Sequence, residues 1–229
     1  MPLFSSLAQA EVTPAPPTDE LIFALAITLA KAIREKKVSS EEVVNVYLKR
    51  IEAVNPKLNA IVQLTAEAAR AQAHAADTVL ARGEVKGSLH GVPFTVKDTI
   101  ETAGVICAAG TKGRAAFVPA QDATAVARLR AAGAILLGKT NVSELGLISE
   151  CDNLVYGRTN NPYDVSRIPG GSSGGEAAIL ATGASPLGLG SQDIGLSAHC
   201  CGIAGVKPTT KRVPMTGHFP LPTFGVTSH

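Results

Sequence analysis

From Val43 onward the apolar residues Val43, Val44, Tyr47, Leu48, Ile51 and Val54 recur at spacings of three and four. That period keeps them on one helix face. Ser39-Ser40-Glu41-Glu42 ahead of them reads as a capping box, and Asn55-Pro56 behind them reads as the stop. A helix is expected before this one, from Asp19 to Glu35, and an alanine-rich one after it, from Leu64 to Arg82, with His74 on its surface. Past that point the pattern changes. Short apolar runs at Val92–Val96, Ala134–Leu137, Pro186–Gly190 and Ile203–Val206 read as strands, with helices at Ala123–Ala132 and Gly175–Ala181 between them. Strands alternating with helices predict an α/β fold, a mixed and mostly parallel sheet with helices on both faces. Residues 1–18 carry Pro14, Pro16 and Pro17 and read as a flexible arm. Residues 19–229 read as one domain.

Composition narrows the classes of partner. The 229 residues are 45% hydrophobic and 17% charged, with a net charge of +2 and no tryptophan. Neither a basic surface for nucleic acid nor a stacking platform for bases is indicated. The four cysteines, Cys107, Cys151, Cys200 and Cys201, form no C-x-x-C pair. A zinc site or disulfide framework is therefore not expected, and reduced thiols suit a cytoplasmic setting. Met1–Ala10 lacks the basic start of a signal peptide. Leu21–Ile33 is apolar but too short to cross a bilayer. It reads as a helix packed against the domain, with a membrane-surface helix as the alternative.

The chemistry concentrates in three places. Pro169-Gly170-Gly171-Ser172-Ser173-Gly174-Gly175-Glu176 holds two hydroxyls among four glycines, which let a ligand approach the main chain. A flexible linker is the bland alternative, but a proline precedes the loop and a helical run follows it. Upstream, the apolar run Gly91 to Val96 ends in Lys97-Asp98; downstream, Gly190-Ser191-Gln192-Asp193-Ile194-Gly195-Leu196-Ser197 ends in a serine. A lysine and two separated serines on glycine-marked turns are the parts of a Ser–Ser–Lys nucleophile system.

With these motifs the chain resembles the amidase signature hydrolases. The likeness runs in order over residues 20 to 225: Gly91–Asp98, Ala132–Ile135, Gly138–Asn141 with Glu144, Tyr156–Asp164, the Gly/Ser loop, Asp193–Gly195 and Cys201–Thr209. Gly174-Gly175-Glu176-Ala177 and Ser185–Gly190 are worded more like the fatty-acid amide hydrolase branch than the tRNA-dependent amidotransferase branch. The resemblance implies cleavage of a carboxylic amide without metal or cofactor. Ser197 would be the nucleophile, Ser172 the bridging serine after a cis peptide bond, and Lys97 the base. Backbone N–H groups of Ile194, Gly195 and Leu196 would form the oxyanion hole, with Gly171, Ser173 and Asp193 in support. A lysine with its ordinary pKa of about 10.4 cannot accept a proton at neutral pH; burial at a strand end would supply the neutral amine. Asp98 and Asp193 read as orienting groups or as turn formers. The expected partner is a small-molecule amide, a homodimer being the other assembly considered.

The chain departs from the family in two respects. Family members are about twice this length, so the fold is expected to lack its C-terminal half. After Asp193-Ile194 the segment Gly195-Leu196-Ser197-Ala198-His199-Cys200-Cys201 is shorter than the family pattern, losing an arginine and a proline. Gln192 is extra, and Leu196 stands where a glycine is usual. A catalytically impaired member or interaction module is therefore the alternative function. A role as a partner-dependent transamidosome component is disfavoured by Glu176, and a phosphate loop by the absence of the P-loop spacing.

Overall fold

Four strands, β1 (Ile61–Leu64), β2 (Pro93–Lys97), β3 (Ile135–Thr140) and β4 (Gly188–Leu189), form one sheet in the order β1–β3–β2–β4 among the described residues. The computed structural model describes residues 18–191, 194–209 and 211–220. β2 runs parallel to both β3 and β4, while β1 pairs with β3 antiparallel. Seven helices are described: α1 (Thr18–Ile22), α2 (Ala26–Arg34), α3 (Ser40–Leu58), α4 (Ala66–Ala81), α5 (Thr124–Ala131), α6 (Gly174–Ala181) and α7 (Ile194–Cys201). α5 makes the crossover between the parallel neighbours β2 and β3, and α6 carries the chain from β3 to β4 on the far side of β2.

Strand alternation sends side chains to two cores. Ile135 and Leu137 join Tyr47, Ile51, Ala73 and Ile179 on the face covered by α2, α3, α4 and α6. Phe94, Val96 and Leu136 pack with Ile100 and with Val126 of α5 on the other. Helices thus lie on both faces of a mixed, mostly parallel sheet, as the alternating pattern predicts.

Several boundaries differ from the expectations, each for a local reason. The expected Asp19–Glu35 helix is two helices, because Leu25 is extended between them and the buried Tyr47 hydroxyl donates to the Leu21 carbonyl at 2.8 Å. Leu29, Ala30 and Ile33 are buried, while Phe23, Leu25 and Ile27 are exposed. The segment packs on one side only, and no described helix is long and apolar enough to cross a membrane.

The capping box of α3 is formed. Ser39 Oγ accepts from Glu42 N at 3.0 Å, and Ser39 N donates to Glu42 Oε2 at 2.8 Å. Asn55-Pro56 does not stop this helix, which runs to Leu58 and ends at left-handed Asn59. Asn55 instead clips the following turn: its Oδ1 accepts from Ala60 N and Ile61 N, both at 2.8 Å. That clip starts β1, a strand the pattern missed. At the other end, Ile203–Val206 is not a strand. Ile203 N donates to Ala198 O, closing the end of α7, and β4 is only two residues long. Residues 1–17, Gln192 and Asp193 lie outside the described residues, so the expected arm and the supporting role of Asp193 have no structural account.

Candidate active site

Lys97 is the last residue of β2, a strand buried at every position. Its amine donates to Ser172 Oγ at 2.5 Å and to Ser191 Oγ at 2.9 Å. Burial disfavours the ammonium form and pushes the Lys97 pKa down to about 7, with Cys151 and Glu176 pulling weakly the other way. A large fraction of the amine is then neutral near pH 7, and its lone pair can accept a proton from a facing hydroxyl.

The Gly/Ser loop delivers Ser172 by close backbone approach. The Gly171–Ser172 peptide bond is cis. A Cβ on Gly171 would lie 2.6 Å from the Ser149 carbonyl carbon, and one on Gly175 would lie 2.5 Å from Asn141 N. Glycine is needed at both positions because main chains touch there. The loop then enters α6. Ser173 fastens it to the next segment: Ser173 Oγ donates to Ser191 O at 3.0 Å and accepts from Ser191 N at 3.2 Å. This reciprocal pair fixes the backbone of Ser191 beside Lys97.

Glu176 on α6 is buried beneath the loop. It accepts from Thr95 Oγ1, and from Thr140 Oγ1 at 2.8 Å. Burial raises its pKa to about 7 against the pull of those hydroxyls and of Lys139 and Lys97. Asp98, which follows the base, is also buried. Burial pushes it up to about 6 despite Lys139 and the N–H groups of Ala108, Ala109 and Gly110 nearby, and no hydrogen bond of normal geometry reaches its side-chain oxygens.

The second serine of the expected relay lies elsewhere. Residues expected to form a turn are instead the start of α7: Ile194, Gly195 and Leu196 occupy its first turn and Ser197 follows. First-turn N–H groups have no partner within their own helix. Ser197 is buried at 2% exposure, and its hydroxyl has no hydrogen-bond partner among the described residues. Its backbone packs against Gly170, where a Cβ would meet Ser197 Cα at 3.0 Å. The residue that sequence reasoning passed over is Ser191, quoted only as part of a turn.

Two cavities flank this cluster. One, about 170 Å³, is lined by Ile100, Leu189, Ile194, Val206 and Met215 together with Ser191. The other, about 280 Å³, lies between α6 and α7 and is lined by Glu176, Ser173 and Ser197 among others. The cysteines are free thiols; Cys201 is a buried core residue whose Sγ approaches Pro169 O at 3.4 Å. No group of His, Cys, Asp or Glu among the described residues is arranged to hold a metal ion.

Comparison with known proteins agrees with this architecture. The Amidase family model matches residues 42–226. The chain belongs to the amidase signature family. It is 44% identical over 223 residues to human (Homo sapiens) fatty-acid amide hydrolase 2, covering 93% of this chain and 42% of that protein. It is 43% identical over 193 residues to a glutamyl-tRNA(Gln) amidotransferase subunit of Acidothermus cellulolyticus, covering 83% of this chain and 38% of that one. The solved structure of a fatty acid amide hydrolase superposes with a TM-score of 0.83 at 28% identity, over 90% of this chain and 37% of that one. The chain therefore spans well under half the length of these amidase relatives. Identity to the hydrolase and to the amidotransferase protein is nearly equal and does not choose between the two branches.

Proposed function

We propose that this amidase signature chain hydrolyses a carboxylic amide through an acyl-enzyme, with neutral Lys97 as the proton acceptor and Ser172 as the hydroxyl that passes protons to and from it. The observation that carries the reading is a fully buried amine held between two serine hydroxyls, its pKa near 7. An amide needs an activated nucleophile, donors for the oxyanion and a proton for the departing nitrogen. Lys97 supplies the first and third by taking the serine proton and returning it. The first-turn N–H groups of Ile194, Gly195 and Leu196 supply the second. The resemblance assigns the acyl group to Ser197, with Gly171, Ser173 and Asp193 in support.

The apolar lining of the smaller cavity favours a hydrocarbon acyl group, in keeping with the name of the human relative. The amine side is left open by the residues present. The same reading expects a cytoplasmic protein acting on a small molecule.

Release of p-nitroaniline from a short-chain acyl p-nitroanilide, followed from pH 6 to 9 at high protein concentration, tests the reading. Turnover that disappears in Lys97→Met supports it; turnover equal in both proteins, or absent from both, overturns it. A second reading, a folded but impaired member of the family, is favoured by one observation: the Ser197 hydroxyl is buried without a partner among the described residues. It predicts no turnover by the unaltered chain.

A further inference from the structure

We infer that Ser191 is a positioning residue for the base: its hydroxyl holds the amine of Lys97 so that the nitrogen lone pair is left to Ser172. The inference rests on the amide-hydrolysis reading and concerns only the base end of the relay. As an ammonium, Lys97 donates to both hydroxyls. As a neutral amine it has two N–H bonds and one lone pair, so one facing hydroxyl takes an N–H and the other gives its proton to the lone pair. The distances divide these roles. Ser191 Oγ lies 2.9 Å from Lys97 Nζ, the ordinary length of an N–H···O bond. Ser172 Oγ lies at 2.5 Å, a short contact that suits the hydroxyl exchanging a proton with the amine. Ser191 is itself fixed. Its N–H donates to Ser173 Oγ at 3.2 Å, and its C=O accepts from the same hydroxyl at 3.0 Å. Ser173 follows Ser172 in the chain, so Lys97, Ser172, Ser173 and Ser191 close a ring. All four are buried, where hydrogen bonds are stronger than in water. A lysine side chain is a flexible four-carbon stem; the strand end fixes its root, and the ring fixes its tip.

In the reaction, Ser172 gives its proton to the lone pair of Lys97 as it takes one from the attacking serine. The amine becomes an ammonium, and Ser191 Oγ accepts an N–H from it before and after the transfer. The proton returns by the same path to the departing nitrogen. Ser191 also bears on the charge state of the base. An oxygen that accepts from an ammonium favours the charged form, so Ser191 opposes the burial that brings Lys97 down to about 7. Without that oxygen the amine should be neutral over a wider pH range and yet be a slower base, because it is no longer aimed. A serine that only filled space would change neither property.

Two measurements on the unaltered chain, Ser191→Ala and Ser191→Thr test this. The first is an NMR titration of protein isotopically labelled at lysine Cε, with the Lys97 signal identified by its loss in Lys97→Met. It reads the base whether or not substrate is turned over. The expected midpoint is about 7 in the unaltered chain, about one pH unit lower in Ser191→Ala, and restored in Ser191→Thr, which keeps the hydroxyl. The second is the p-nitroanilide rate on its alkaline plateau. In Ser191→Ala kcat should fall about ten- to a hundredfold with KM little changed, and Ser191→Thr should recover it. Should Ser191→Ala fail to fold, Ser191→Val against Ser191→Thr gives the same contrast at nearly equal side-chain shape. A Lys97 midpoint that stays put without the hydroxyl overturns the inference and leaves amide hydrolysis standing. A plateau kcat equal to that of the unaltered chain does the same. A midpoint that falls and is restored as expected, with no turnover by the unaltered chain, supports the hold on the amine and overturns amide hydrolysis.

Discussion

Two buried lysines stand side by side in this sheet, and their surroundings differ in kind. Lys97 ends β2, and Lys139 lies in β3 opposite Val96, one register step away. Both are fully buried and both have their pKa lowered by burial. Because strand side chains alternate, the two amines leave the sheet on opposite faces. Lys97 meets hydroxyls, those of Ser172 and Ser191. Lys139 donates to the Ile100 carbonyl and, at 3.4 Å, to Thr102 Oγ1. The Ile100 carbonyl only accepts, and the Thr102 hydroxyl directs its own proton to that carbonyl at 3.3 Å, so neither gives Lys139 a proton to take. A hydroxyl both donates and accepts, so Lys97 can be donor or acceptor in turn. Depth of burial therefore does not distinguish a base from a strut; the partner's hydrogen-bonding capacity does.

The largest expected effect separates the two lysines by substitution. Lys97→Met removes the proton acceptor, and a lost general base costs about 10²- to 10⁴-fold in rate. The p-nitroanilide assay should show that loss while circular dichroism reports a retained fold. Lys139→Met should do the reverse. It takes the lysine donor from the Ile100 carbonyl and leaves only the long bond from Thr102 Oγ1 at 3.3 Å, a cost of about 1–3 kcal/mol, readable as a lower midpoint in urea. Activity per folded molecule should stay within about tenfold. Equal activity losses in the two variants would break the comparison.

pH sharpens the same contrast. In the proposed role Lys97 works only when neutral, so the rate should rise through about pH 7 and fall about tenfold per unit below it. Stability carries the opposite half of this information. A lysine with a depressed folded pKa binds a proton in the unfolded chain before it does so in the folded one, so the fold gains stability as pH rises. For Lys97 this contribution is complete above the unfolded value of 10.5 and lost as pH falls to about 7. Lys139→Met should flatten the pH dependence of the urea midpoint and leave the rate profile in place.

A smaller effect is expected at the loop that positions the hydroxyls. Gly171→Ala drives a Cβ to 2.6 Å from the Ser149 carbonyl carbon, where only main chain can yield. Overpacking of this sort costs about 1–3 kcal/mol. Because the shift falls on Ser172, the activity loss should exceed the loss of folded protein. Equal losses would mean that the loop bears only on stability.

What the sequence disclosed followed from where local rules govern. The α3 face, the capping box at Ser39 and the β2–α5–β3 crossover depend on period and caps, and they were legible. Lys97 meets Ser172 across 75 residues of chain, a contact suggested by the family resemblance and not by short-range signals. The end of α3 was not legible, since Asn55 spends its side chain on Ala60 and Ile61 rather than on breaking the helix. The partner of Lys97 from the downstream segment was not legible either. Ser191 Oγ meets the amine at 2.9 Å, while Ser197 falls inside the helix that begins at Ile194, where a turn was expected. Likewise Ile203 spends its N–H on α7 rather than on a neighbouring strand.

The finest test concerns the one carboxyl group linked electrostatically to both amines. Glu176 raises the pKa of Lys97 and of Lys139 from below the sheet. Glu176→Gln keeps one acceptor and puts an NH2 in place of the other, so one of the Thr95 and Thr140 hydroxyls turns to accept, and the charge is removed. The activity midpoint should therefore move to lower pH, since the ammonium of Lys97 loses a favourable neighbour. The stability effect has its own sign. Glu176 is raised from 4.5 to about 7, so its stabilising contribution is complete below 4.5 and is lost as pH rises through 7. The variant should lose less stability than the parent over that window. A rate midpoint that stays fixed while the stability profile flattens would mean that Glu176 supports the fold under the loop and has no influence on the base.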